Sequence, residues 1–334
     1  MINIKENISL KPYHTFGMDI NARYLVEYDS VEELRSLLIS PIIKDNIYIH
    51  IGGGSNLLFT KEYCGVVLHS RIVDMVVEEH EDSVLIKVGA GVVWDDFVAY
   101  TVSNNWYGAE NLSYIPGEVG ASAVQNVGAY GVEAKDIINR VYAIDVETGA
   151  ERIFKQDECL YGYRSSIFKT QLKGQYIITY VEYKLSKTPC HKLEYGNLKT
   201  MLGDDITLQN IRNSIIEIRK QKLPDPNEVG SAGSFFINPV VDVTCFHTLK
   251  QEYPDIVSYP LNEDKVKLSA AWLIDKAGWH GKRVGGAAVY HKQCLVLINE
   301  NNAIPADVIE LASQIQKSVY EKYGVEITPE VNYI

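Results

Sequence analysis

The sequence predicts an α+β fold. Short β-branched and aromatic runs end repeatedly in glycine, helical patterns fall between them without regular strand–helix–strand alternation, and 334 residues exceed one average domain. Hydrophobic content of 46% and charged content of 22% belong to a globular chain with a sizeable core. The net charge of -11 argues against non-specific binding of nucleic acid or an acidic membrane, so an anionic ligand needs a local basic pocket. The five cysteines, Cys64, Cys159, Cys190, Cys245 and Cys294, are odd in number and form no CxxC pair, which favours a reducing cytoplasm; no metal site is expected. No apolar run approaches the ~20 residues of a membrane span, and the start Met-Ile-Asn-Ile-Lys-Glu-Asn lacks a signal-peptide core.

Residues 10–20 form an irregular lead-in, Lys-Pro-Tyr-His-Thr-Phe-Gly, whose Pro12 and Gly17 disfavour a helix. Asp29 and Ser30 cap a helix over 31–39 with acidic residues in its first turn. Residues 47–51 read as a strand running into Gly52-Gly-Gly-Ser-Asn-Leu-Leu-Phe59. Strands follow at 66–68 and 84–88, then an amphipathic helix over 94–105 with Trp94, Phe97, Val98 and Thr101 near one face. Residues 141–146 and 150–154 make a hairpin around Glu-Thr-Gly149, and 175–185 is a strand. A loop over 193–198 carries Tyr195, and a boundary falls within 202–206. Thr207 then caps a helix with Ile211, Ile215 and Ile218 on one face and Arg212, Arg219 and Lys220 outside it, ending at Leu223-Pro-Asp-Pro226. A helix over 270–277, a buried strand over 294–298, a helix over 305–323 with Val308, Leu311, Ile315 and Val319 inward, and a strand over 325–334 close the chain.

Residues 113–131, Ser-Tyr-Ile-Pro-Gly-Glu-Val-Gly-Ala-Ser-Ala-Val-Gln-Asn-Val-Gly-Ala-Tyr-Gly, hold glycines at 117, 120, 128 and 131 and a proline at 116, so backbone can come close to something flat or charged. Gln125 and Asn126 can meet a heterocycle edge; a tight turn plus a short helix under close packing is the competing reading. Strand followed by Gly52-Gly-Gly54 suggests phosphate binding through Ser55, Asn56 and successive N–H groups. It is outside a Rossmann frame, because Leu57 replaces the third glycine; a hairpin turn is the alternative. Arg164, among Tyr163, Ser165 and Phe168, is either an anion fork or a structural ion pair. Ser234, in Ala-Gly-Ser-Phe-Phe, lacks the GxSxG of a hydrolase nucleophile and is either a shielded proton donor or a cap or turn.

Tyr13-His-Thr-Phe-Gly17, Gly52-Gly-Gly-Ser-Asn56, Ile115-Pro-Gly117 to Gly120, Gln125-Asn126-x-Gly-Ala-Tyr-Gly131, Tyr163-Arg-x-Ser166, Ala232-Gly-Ser-Phe-Phe236 and Pro329-Glu-Val331, in this order, resemble the UDP-N-acetylenolpyruvoylglucosamine reductases nearly end to end. The resemblance implies an FAD-binding fold of the vanillyl-alcohol oxidase/PCMH type in two subdomains, 1–65 and 66–203 with 301–334, plus a smaller α+β substrate-binding domain, 204–300. It implies FAD as cofactor, NADPH as hydride donor and a UDP-sugar substrate of cell-wall precursor synthesis, with no obligate protein partner. The loop with Tyr195 is similar to a subgroup in which a tyrosine closes over the substrate diphosphate.

Carried across, Ser234, Arg164 and Glu330 are implied as the catalytic set. Gly52, Gly53, Gly54, Ser55, Asn56, Ile115, Pro116, Gly117, Gly120, Ser122, Gln125, Asn126, Gly128, Gly131 and Arg219 would hold FAD, and Tyr130, Tyr195, Lys222, Asn238, His280 and Gln293 the UDP-sugar. Reduction of an enolpyruvyl ether places hydride from flavin N5 on the terminal CH2 and a proton on the adjacent carbon. Arg164 and Glu330 would meet the charge that develops on the carboxylate, and Ser234 would supply the proton, needing position more than acidity. Two departures remove positive charge: Ile237 stands where many relatives have lysine, and Asn332 where some have arginine; His280 or Lys282 are the candidates to compensate. Two alternatives remain: a flavin oxidase of the same fold, with His69 or Cys64 as flavin anchor, and a non-catalytic binder of UDP-sugars.

Overall fold

A computed structural model describes residues 3–195, 198–203, 205–226 and 228–334. Gly196 and Asn197 of the expected tyrosine loop, and Asp204 of the expected boundary, lie outside the described residues. The chain forms two compact units, the first made of Met1–Ile8, Ala22–Gly53 and Cys64–Arg219, the second of Ser9–Asn21, Gly54–Tyr63 and Lys220–Ile334.

In the first unit, a four-stranded sheet runs in the order Asn3–Ser9, Asn21–Tyr28, Tyr63–Ser70, Tyr48–Ile51, the last two parallel. The helix Val31–Leu38 covers it, capped as expected by the Ser30 hydroxyl on the Glu33 N–H, with Leu34, Leu37 and Leu38 buried against Val66 and Leu68. A five-stranded antiparallel sheet runs in the order Glu151–Lys155, Ile138–Asp145, Tyr176–Ser186, Ser83–Gly89, Met75–Glu79. The expected hairpin is its outer edge, closed at Gly149 with φ 70°. The helix Trp94–Ser103 buries Trp94, Phe97, Val98 and Thr101, and Phe97 stacks on Tyr183 at 4.5 Å between ring centroids.

In the second unit, one sheet runs in the order Gly230–Ser234, Val296–Asn299, Ala287–Val289, Arg283–Val284, and another in the order Val240–Asp242, Lys265–Leu268, Ser258–Pro260. The helix Pro305–Tyr323 buries Val308, Leu311, Ile315 and Val319 as its periodicity requires.

Three expectations are corrected. Residues 301–334 belong with the second unit, not with 66–203, because the inward face of Pro305–Tyr323 shares a core with Phe235, Phe236 and Leu273. Most of the helix Leu208–Lys222 belongs with the first, because Ile211, Ile215 and Ile218 pack with Leu193 and Leu198. The closing strand is only Asn332–Tyr333, parallel to Leu57–Leu58; Val325, Ile327 and Val331 are buried without a ladder.

The lead-in at 10–20 is part of this second core through Phe16 and Met18, and it fixes its neighbours by backbone contact. Thr15 donates its N–H to Gly54 O, accepts from Ser231 N–H and donates its hydroxyl to Ser231 O. Gly54 adopts φ 61°, and a Cβ there would lie 2.1 Å from the Tyr13 carbonyl oxygen. Gly54→Ala is therefore expected to destabilise the chain by about 2–4 kcal/mol, from left-handed strain plus steric overlap. Urea unfolding with the midpoint unchanged would refute this.

Candidate functional site

In the first unit the two glycine turns meet. A Cβ on Gly53 would stand 3.2 Å from Gly117 Cα, and one on Gly52 would stand 3.2 Å from Glu118 Oε2. The loop at Gly52–Gly53 thus lies backbone to backbone against Gly117, and it is no hairpin, because Tyr48–Ile51 pairs with Tyr63–Ser70. Both competing parts of the reading of 113–131 are present, since the turn leads into a short helix, Val119–Gln125. Gly120 serves that packing: its Cβ would be 2.9 Å from that of Ala90, and its N–H donates to Ala90 O. Ser122 is buried, donating to Val119 O and pairing with the Tyr183 hydroxyl at 2.9 Å.

Asn126 corrects an expectation. Its buried amide donates to Gly162 O and Glu133 Oε2 and accepts from Lys135 N–H, so the side chain ties three segments of the unit together instead of facing a heterocycle. Gln125, half-buried, ends the helix beside it. Asn126 (φ 48°), Tyr114 (φ 60°), Tyr130 (φ 48°) and Arg164 (φ 54°) all have left-handed backbones. For a tyrosine or an arginine that costs about 1–3 kcal/mol, and such strain gathers where a site must be held in shape.

Arg164 Nη2 donates to Gly128 O at 2.8 Å, and a Cβ on Gly128 would press on its Nη1 at 3.1 Å. Arg212 and Arg219, outside the isoleucine face of their helix as expected, both find partners within the unit. Arg212 grips Asp95 bidentately at 2.6 and 2.8 Å, while the half-buried Arg219 donates Nε to Tyr114 O at 3.0 Å. Burial lowers the pKa of Arg219, with Tyr130 and Asp95 opposing and the like charge of Arg164 adding to the effect. The field of two guanidinium groups therefore converges beside Tyr130. Tyr195 lies edge-on to Tyr130 at 5.8 Å, and Asn111, which the sequence reading passed over, ties both loops by donating to Tyr130 O and Lys192 O.

Under the glycine turns sits a charged chain the sequence does not reveal. His69 lies 2.8 Å from Glu118 and 3.5 Å from Glu27, which in turn pairs with Lys5 at 2.8 Å and stands 4.0 Å from Arg71. Burial opposes charge on His69, but the hydrogen bonds and charges of Glu118 and Glu27 outweigh it and raise its pKa. The neighbouring His50 is pushed down to about 3 by burial and by His69, and it pairs neutral with the Tyr28 hydroxyl.

In the second unit Asn56 donates to Glu330 O and its own carbonyl accepts from Asn332 N and Nδ2, so Asn332 closes the chain end onto the glycine loop. Gly54 is buried and Ser55 half-buried beside it. Ser234, neither cap nor turn, ends the strand Gly230–Ser234 opposite Val296. The next residues bridge to the terminal motif: Phe236 opposes Pro329, and Glu330 N–H donates to Phe235 O at 2.8 Å. Asn238 Oδ1 accepts from Ala270 N–H, Gln293 Oε1 from Leu295 N–H, and Lys222 is exposed. His280 turns Nδ1 toward Asp275 at 3.2 Å, and Lys282 lies over the Trp279 ring.

This layout coincides with two family models: an FAD binding domain over residues 22–153 and the C-terminal domain of UDP-N-acetylenolpyruvoylglucosamine reductase over residues 225–334. Proteins of the latter name are similar over essentially their whole lengths, that of Bacteroides fragilis at 51% identity (99% of this chain, 100% of the relative), Porphyromonas gingivalis at 44% (100% and 100%) and Pseudomonas putida at 42% (98% and 98%). The chain belongs to the UDP-N-acetylenolpyruvoylglucosamine reductase family. The fold agrees with the Thermus caldophilus UDP-N-acetylenolpyruvylglucosamine reductase at TM-score 0.71 and 24% identity (100% of this chain, 99% of that one). It also agrees with p-cresol methylhydroxylase at 0.50 and 13% (96% and 83%), the vanillyl-alcohol oxidase/PCMH type.

The reductase family's flavin suits the first unit. A half-buried guanidinium at Arg219 reinforced by Arg164, with glycine backbones at 52, 53 and 117 in the same unit, is a donor set for an anionic, flat cofactor.

The raised pKa of His69 gives a signed prediction. Its stabilisation is fully present below the ordinary histidine value of 6.5 and is lost as pH rises through the raised folded value. The stability gap between the wild type and His69→Gln should therefore shrink with rising pH in thermal melts; a gap independent of pH would sink the charge role.

Proposed function

We infer that this protein is a UDP-N-acetylmuramate dehydrogenase: it reduces UDP-N-acetylglucosamine enolpyruvate to UDP-N-acetylmuramate in peptidoglycan precursor synthesis, with FAD as cofactor and NADPH as hydride donor. Full-length identity of 51% to a curated reductase carries this reading. Hydride transfer from NADPH to the enolpyruvyl CH2 is the chemistry that FAD would supply when bound. The chain's own residues supply the rest.

Ser234 is the proton donor to the carbon bearing the carboxylate. Its support is a fixed place at a strand end, followed by the buried rings of Phe235 and Phe236. Glu330, whose backbone is pinned to that of Phe235, meets the developing oxyanion together with Arg164, a cation that keeps its proton. Gly52, Gly53, Gly54, Ser55, Asn56, the turn at 115–117, Gly128, Gly131 and Arg219 hold FAD, with Gly120, Ser122 and Asn126 shaping that region from behind. Tyr130, Tyr195, Lys222, Asn238 and Gln293 take the UDP-sugar, Tyr195 closing over the diphosphate. No helix among the described residues is long and apolar enough to cross a membrane, and the five cysteines are free, which supports a cytoplasmic place. No obligate protein partner is needed for this chemistry.

Ser234→Ala is expected to leave anaerobic bleaching of the flavin by NADPH intact and to slow re-oxidation by the enol ether ~10²–10⁴-fold. Turnover surviving within about tenfold would remove the serine from its role. Because NADPH and the enol ether visit in turn, initial rates should give parallel double-reciprocal lines; intersecting lines would require both to be bound together.

A further inference from the structure

The second unit holds a group of three ligand-type side chains, of which only His280 has an expected contact with the substrate. Asp275 ends the helix Ala270–Lys276, His280 stands in the turn that follows, and Cys294 leads into the strand Val296–Asn299. Their ligand atoms converge: His280 Nδ1 to Asp275 Oδ1 is 3.2 Å, Cys294 Sγ to Asp275 Oδ1 3.6 Å, and Cys294 Sγ to His280 Nδ1 3.6 Å. A tetrahedral zinc ion with bonds of about 2.3 Å to sulfur and about 2.0–2.2 Å to nitrogen and oxygen requires edges of roughly 3.3 Å for N···O and roughly 3.5 Å for both edges to sulfur. All three observed edges agree with that triangle to within about 0.2 Å.

We propose that Asp275, His280 and Cys294 form a binding site for a zinc-type divalent transition ion, with water in the fourth position. The donor set selects such an ion, because thiolate and imidazole are poor ligands for magnesium or calcium. The three ligands are placed by backbone before any ion arrives. Gly278 N–H closes on Asp275 O at 2.8 Å, Trp279 N–H on Ile274 O at 3.2 Å, and Val296 N–H on Gln293 O at 3.0 Å, so the helix end, the turn and the strand start are each fixed. Gly278 and Gly281, with φ 84° and 65°, let the chain turn sharply around His280. Sulfur is buried while Asp275 and His280 are exposed, so the open side faces solvent and admits the ion. Binding forms Zn–S, Zn–N and Zn–O bonds, releases five of the roughly six waters of the hydrated ion while one stays in the fourth position, and releases the thiol proton to solvent; no electron moves. The ion would staple the turn at 277–281 to the strand that carries Gln293. Spacings of five and fourteen residues match no zinc-ligand pattern, which is why the site is silent in sequence.

The test is a titration of the flavin-loaded full chain, stripped with a chelator, by Co2+ and then Zn2+. The site predicts one Co2+ per chain with tetrahedral ligand-field bands at wavelengths beyond the flavin absorption and a thiolate-to-cobalt charge-transfer band, both bleached by Zn2+. Cys294→Ser should abolish the charge-transfer band, and His280→Asn, a change at an exposed side chain, should weaken Zn2+ at least about tenfold. Zn2+ should raise the melting temperature of the wild type more than that of His280→Asn. A weak octahedral cobalt spectrum without charge transfer, or equal Zn2+ affinity in folded His280→Asn, would leave only a hydrogen-bonded thiol, imidazole and carboxylate and would overturn the proposal.

Discussion

The close approach of Gly53 to Gly117 is the constraint on which the first unit's candidate site depends. A Cβ on Gly53 would crowd Gly117 Cα at 3.2 Å, and Gly117 itself has φ 118°, so glycine at both positions lets the strand-end loop and the turn lie together without displacement. From this contact the rest follows in order. Glu118 is carried under Gly52, the helix Val119–Gln125 starts with its first N–H groups already given to Val92 and Ala90, and Gly120 must also be small. A longer side chain at any of these points would separate the loops before it touched a ligand.

That geometry creates an electrostatic problem. Glu118 brings a carboxylate beneath a loop suited to phosphate, and a bare negative charge there would repel the ligand. His69 answers it from the sheet below, and Glu27 with Lys5 holds His69 in its charged form. The same logic runs with opposite sign around Arg219. Asp95, its nearby acid, is already gripped by Arg212, so the positive field of Arg219 is available to an anion instead of being cancelled.

The parts of this arrangement that were legible in sequence are those with a local cause. The Ser30 cap, the period of Val308, Leu311, Ile315 and Val319, and the Gly149 turn each depend on neighbours within a few residues, and the structure has them where the pattern puts them. What escaped depends on distant pairing. Arg212 looks like a solvent-facing residue of an amphipathic helix until Asp95, remote in the chain, is placed beside it. Asn111 reads as an ordinary polar residue of a turn, and His69 is legible only as a flavin anchor of the alternative oxidase, not as the partner of Glu118. The placement of 301–334 failed for a similar reason: periodicity reveals that a helix has an apolar face but not which core receives it.

Asn126 and Ser122 add a further point about reading motifs. Both lie in a run dense with glycine and both carry groups suited to a ligand, yet in both the side chain bonds the protein's own backbone or hydroxyl groups. A buried amide can satisfy its groups only if its partners are placed first, so these residues act as templates for the site's walls. Arg164 differs from them: its backbone is left-handed, and its guanidinium donates to the Gly128 carbonyl and lies over the Tyr163 ring, so a fixed cation is kept at a strained position. Strain retained at a charged residue, beside polar residues absorbed by the scaffold, is the structural mark by which a residue held for function differs from one held for packing.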